Sequence, residues 1–188
     1  MSLGTGGPSQ FGQNTSLDNE GRRKLIRSAM DLGVNLFDTS GQYGQSEQML
    51  GDALRGISRD SYFLATKWKQ NDAEQDLLLD PSDLRLSVEA SLQRLKTDCI
   101  DLLQFHGVLP EHYTHVVERL YPAVDDLKAQ GKIRFIGLTE RLVEDPKHEV
   151  VRIALSSDPG LWDTVMLKYG ILNQWASKKI LPLAEKHE

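Results

Sequence analysis

Two rhythms of apolar residues alternate along this chain. Short apolar runs at residues 34–37 (VNLF), 62–66 (YFLAT), 100–105 (IDLLQF), 133–138 (IRFIGL) and 164–169 (TVMLKY) predict buried strands. Residues 3–5 (LGT) predict the end of a first strand. Between the runs, apolar positions recur every three or four residues. Leu25, Ile26, Ala29, Met30 and Leu32 predict a helix with Asp18 or Asn19 as its cap and Gly33 as its stop. Met49, Leu50, Ala53 and Leu54 predict a second, capped by Ser46. Leu84, Val88, Leu92 and Leu95 form one stripe behind a cap, Asp80, and a first-turn proline, Pro81. Val116, Val117, Leu120, Val124 and Leu127 predict one helix over residues 113–130, closed by Gly131. Weaker patterns predict helices over 146–154 and from 177 to the end, while residues 6–16 and the polar stretch leading to Asp80 have loop composition.

Strands alternating with helices predict an α/β fold with a parallel sheet. The runs are closed by Asp38, Lys67, His106 and Thr139, at intervals of 29 to 39 residues. That is near the ~31 residues per unit of an eightfold barrel of about 250 residues, whose active sites sit where the carboxyl ends of the strands converge. Packing alone asks for no acid, ammonium and imidazole at those ends. After Asp38 a turn-rich loop (TSGQ) delivers Tyr43, and Gly44 lets the backbone swing toward the next helix.

Asp38, Tyr43, Lys67 and His106 together suit proton transfer to a carbonyl oxygen. A free phenol has a pKa of about 10, and lowering it by two units needs about 2.7 kcal/mol of preference for the phenolate. An ammonium about 4 Å away supplies roughly 4 kcal/mol at an effective dielectric of 20, so Lys67 would suffice. Asp38 would keep that lysine charged and aimed, and His106 would donate a hydrogen bond that orients the substrate oxygen. None of these residues supplies a hydride, which implies a nicotinamide cofactor.

The stretches FDTSGQYGQSEQMLGDAL, FLATKW, DLLQFH and GKIRFIGLTE resemble the signatures of the aldo-keto reductases. The resemblance runs from about Leu3 onward. It implies an NAD(P)H-dependent reductase of aldehydes and ketones on a parallel (β/α)8 TIM-type barrel, here one domain over residues 1–188. It implies Tyr43 as general acid, Lys67 as its tuning partner, Asp38 as the partner of Lys67, and His106 as the group that orients the carbonyl. It also implies NADPH or NADH as cofactor, approached by Thr5 and Asp38 and held by Thr139 and Glu140, where Ser and Asn are common in the family. Met166 stands near the position of a family glutamine. By length the chain resembles about six of the eight βα units, with strands 1–6 present and strands 7–8 expected beyond Glu188. An inactive, truncated or scaffold-like homologue is therefore the competing expectation.

Other chemistries find less support. LGTGGPSQFG has Ser9 where a dinucleotide fingerprint needs glycine. His106, Glu111, His112 and His115 match no strong metal-ligand spacing, so no metal is expected. A Schiff-base role for Lys67 is the rival catalytic reading, and Trp68 and Trp162 are expected to pack in the core. A net charge of −5 shows no broad electrostatic footprint for nucleic acid. No apolar run approaches the ~18 to 20 residues of a membrane span. The start MSLGTGG lacks the features of a secretory signal, and a single cysteine, Cys99, fits a reducing compartment, so a cytoplasmic protein is expected. Substrate identity and oligomeric state are not written in these patterns.

Overall fold

The structure, a computed structural model, describes residues 1–72, 77–141 and 143–187. Its strands are β1 (Ser2–Gly4), β2 (Leu36–Asp38), β3 (Phe63–Trp68), β4 (Asn71–Asp72), β5 (Leu77–Leu78), β6 (Ile100–Val108), β7 (Ile133–Glu140) and β8 (Thr164–Met166). Six of them form one curled parallel sheet in the order β1-β2-β3-β6-β7-β8, an incomplete (β/α)8 barrel. Helices α1 (Asn19–Asp31), α2 (Ser46–Ala53), α3 (Pro81–Leu95), α5 (Tyr121–Ala129) and α6 (Glu149–Ser157) link the strands. A three-residue turn of helix, α4 (Tyr113–His115), precedes α5, and α7 (Trp175–Lys179) and α8 (Leu181–Ala184) end the chain. No described helix is long and apolar enough to cross a membrane.

Alternation along the strands decides which side chains face which way. Phe37, Leu64, Leu103 and Ile136 are buried against Ile26, Leu50, Leu92, Val124 and Val151 of the helical layer. Each such side chain contributes about 1.5–3 kcal/mol. The residues between them in sequence point to the inner face, where Leu36, Phe63, Leu102 and Phe135 line an apolar hollow of about 480 Å³. Continuing by twos, the same inner face carries Asp38, Lys67, Gln104, His106 and Thr139 at the carboxyl ends.

Several elements depart from the sequence pattern. Lys67, His106, Thr139 and Glu140 lie inside their strands, because β3, β6 and β7 run further than their apolar cores. The expected long helix over 113–130 is broken by a π segment, Val116–Leu120, just ahead of Pro122, whose ring nitrogen cannot donate to the preceding turn. Pro182 similarly divides the last helix. The sixth run stops as a strand at Met166, and the helix after β7 starts at Glu149, where Asp145 accepts the N–H groups of Glu149 and Val150. Ser46 does not cap α2; its hydroxyl donates to Thr5 O and receives Gln13 Nε2. Within the polar stretch before Asp80, β4 and β5 pair as a hairpin; residues 73–76 of that stretch lie outside the described residues. Trp68 and Trp162 pack edge-on against Phe105 in the core.

Candidate active site

The site is built at the carboxyl ends of β2, β3, β6 and β7. Lys67 Nζ donates to Asp38 Oδ2 at 2.5 Å and to the Thr39 carbonyl at 2.9 Å, with its side chain only 3 % exposed. The other Asp38 oxygen receives Gln104 Nε2 at 3.3 Å. Thr39 is buried, its hydroxyl receiving that of Thr5 at 2.7 Å. Lysine, carboxylate and loop are therefore held by hydrogen bonds from three strands and the loop after β2.

Tyr43 reaches the same place from that loop. Its ring centre lies 5.3 Å from Lys67 Nζ and 5.9 Å from the His106 ring, nearly perpendicular to it. His106 stands where the β6–β7 register slips between Phe105 and Val108. Gly107 there holds φ +67, a conformation that favours glycine, and its N–H donates to Thr139 Oγ1 at 2.8 Å. Ser40 Oγ, which already accepts the Gln42 N–H, is 3.5 Å from His106 Nδ1. A serine proton donated to Nδ1 would leave the imidazole its own proton on Nε2. Tyr43, Lys67, His106, Thr139, Glu140, Met166, Leu167 and Lys168 together line a cavity of about 280 Å³.

The electrostatics differ from the expectation at one point. On balance the Tyr43 phenol is less acidic than a free one. Burial first and the Asp38 carboxylate second push its pKa above the ordinary value, so it stays protonated at neutral pH. Burial lowers the Lys67 pKa, opposed by Asp38. His106 is pushed down to about 4, chiefly by burial and further by the charges of Lys67, Lys69 and Arg141, and is neutral near pH 7.

The residues expected around a cofactor divide. Asp38 and Thr139 belong to this group of side chains. Thr5 is fully buried beneath Thr39 and does not line the cavity. Glu140 reaches the cavity, but both its oxygens bond protein groups. Sequence reasoning passed over Gln104, Ser40 and His148; Gln104 alone left a signal, a polar side chain on the inner face of a strand. His115 bonds the Leu79 carbonyl, and the described residues hold no group of three potential metal ligands.

A parallel α/β half-barrel with an acid, a phenol, an ammonium and an imidazole at one mouth defines a class of barrel that builds its site at the carboxyl ends of its strands. A model of the aldo/keto reductase family matches residues 2–188, and the chain belongs to that family. The NADH-specific methylglyoxal reductase of Escherichia coli is 34 % identical over 97 % of this chain and 59 % of its own length. The L-galactose dehydrogenase of Arabidopsis thaliana is 38 % identical over 61 % of the chain and 36 % of its own. A solved structure assigned to the aldo-keto reductases of Pseudomonas aeruginosa superposes with a TM-score of 0.77 at 32 % identity, covering 99 % of this chain and 69 % of that one. The chain spans between 36 % and 59 % of the length of four curated relatives that it matches, these two among them.

Proposed function

We propose that this chain carries the reaction centre of an NAD(P)H-dependent oxidoreductase that reduces aldehyde or ketone carbonyls. The observation that carries the reading is the meeting of Tyr43, Lys67 and His106 around one cavity, with Asp38 behind Lys67. The cavity suits the reacting end of a nicotinamide cofactor beside a small carbonyl. Hydrogen-bonding groups share it with the apolar Met166 and Leu167, and its 280 Å³ is just under the ~300 Å³ of the smallest pockets that enclose a whole ligand. Thr139 would hold the carboxamide: its hydroxyl accepts from Gly107 and keeps a proton to donate. When bound, that cofactor supplies a hydride to the carbonyl carbon.

The protein's own groups handle the oxygen. Neutral His106 donates a hydrogen bond from Nε2 and sets the carbonyl's direction. Tyr43, protonated at neutral pH, gives its proton to that oxygen as negative charge develops there. The buried ammonium of Lys67 then faces a forming phenolate across 5.3 Å to the ring centre, and Asp38 with Thr39 keeps the ammonium charged and fixed. A lysine donating to two oxygens is poorly disposed to attack a carbonyl, which favours this reading over a Schiff base. Tyr43→Phe tests it: turnover of a carbonyl substrate with NADH should fall by about 10²–10⁴, and a loss under about tenfold would remove Tyr43 as proton donor.

A further inference from the structure

At one side of the cavity lies a buried pair that the proposed chemistry does not use. Glu140, at the end of β7, has a side chain 3 % exposed, and fully buried His148 sets its Nδ1 2.5 Å from Glu140 Oε2. The second carboxylate oxygen accepts the main-chain N–H of Lys168 at 2.8 Å. The pair thus ties three segments: the end of β7, the residue before α6, and the chain leaving β8. His148 adopts φ +60, the left-handed region that a residue with a Cβ enters only where its surroundings demand it. Its Nε2 has no partner among the described residues. The ring proton therefore sits on Nδ1, where the carboxylate accepts it.

The tied segment matters because of where it is. β8 is a three-residue strand at the sheet edge, and its pairing ends at Met166. Beyond it, the bond from Lys168 to Glu140 holds the wall formed by Met166, Leu167 and Lys168, which shares the cavity with Tyr43 and His106.

We infer that Glu140, aimed by His148, is a positioning residue that fixes this wall and is not itself a cofactor ligand. Only the purpose of the wall rests on the oxidoreductase reading; the tie does not. Amide exchange and ¹⁵N ring spectra of the 188-residue chain, with NADH titration, test it. Glu140→Ala should speed exchange at the Lys168 amide at least about tenfold while leaving β3 unchanged. Glu140→Gln, whose amide oxygen still accepts that N–H, should keep Lys168 within about threefold of wild type. Its NH₂ group would meet Nδ1, so the His148 ring proton should move to Nε2. NADH should bind Glu140→Gln like wild type and Glu140→Ala at least about fivefold more weakly.

Unchanged Lys168 exchange in Glu140→Ala overturns the inference. So does an equal loss of NADH affinity in both variants with Lys168 still protected, which would make the carboxylate itself a ligand. If Glu140→Ala does not fold, Glu140→Gln decides, and an unmoved ring proton overturns the tie. The exchange result stands even if wild type binds no NADH, so failure of the tie and failure of the oxidoreductase reading are told apart.

Discussion

Replacing Lys67 with methionine tests the electrostatic centre of the proposed reaction. The lysine side chain is 3 % exposed, and an unbranched methionine refills its space without the charge. Nζ lies 5.3 Å from the centre of the Tyr43 ring. At an effective dielectric of about 20, a unit charge at that distance favours a forming phenolate by about 3 kcal/mol, which is about two powers of ten in rate. Asp38 opposes that attraction, but it is present in both proteins. The loss on deleting Lys67 is therefore the whole attraction and not the net effect of the pair. Single-turnover NADH oxidation at pH 7 should slow about 100-fold in Lys67→Met, with KM for the aldehyde changed by less than about threefold. Added to Tyr43→Phe, the same replacement should cost little more, because no phenolate forms there. A loss under tenfold, or an equal loss in the Tyr43→Phe background, would refute the argument.

The pH dependence of the site and the stability of the sheet give further outcomes. For kcat/KM against pH, the acid limb should lie near pH 4, because His106 must be neutral and its pKa is pushed down to about 4; a limb near the ordinary histidine value would show an unshifted ring. Stability carries the same sign: the unfolded chain binds the His106 proton more readily, so stability is full above the ordinary histidine pKa and is lost as pH falls toward 4. The alkaline limb should fall below the ordinary lysine pKa and belong to Lys67, since burial lowers that group while Tyr43 is raised. At the opposite end of the sheet, the 2 % exposed Asp101 side chain accepts Leu64 N–H, Arg59 and Arg134. Asp101→Ala strands a buried N–H and should cost about 2–4 kcal/mol in urea unfolding, with Asp101→Asn about half of that. A cost below about 0.5 kcal/mol for Asp101→Ala would show that the half-exposed arginines and water compensate fully.

Local signals in the chain were legible where one residue type has one physical use. Asp80 and Pro81 mark the start of α3 because a capping carboxylate and a ring-locked φ both suit a first helical turn. Stripes such as Leu84, Val88, Leu92 and Leu95 mark the buried face of that helix. The break ahead of Pro122 was legible in principle, since the missing N–H was in plain view. The hairpin of β4 and β5 was not, because two-residue strands show no period. Among the site residues, Asp38, Lys67 and His106 stood out as reactive groups closing apolar runs, and Tyr43 as a phenol in the turn-rich loop after the first of them. His148 did not, because nothing near it in sequence announces a partner eight residues away across a turn.

The order of strands and helices, the parallel sheet and the four reactive side chains were set by local pattern: periodicity follows from helix and strand geometry and needs no knowledge of distant contacts. What each group does electrostatically was decided only by the fold. Lys67 was expected to acidify Tyr43, yet burial and the Asp38 carboxylate leave the phenol less acidic than in water. Glu140, expected beside a cofactor, has one oxygen bonded to His148 and the other to the Lys168 main chain, contacts that only the fold creates. Desolvation and hydrogen-bond occupancy depend on which groups from remote segments arrive at the same point, and that is information a linear pattern does not contain.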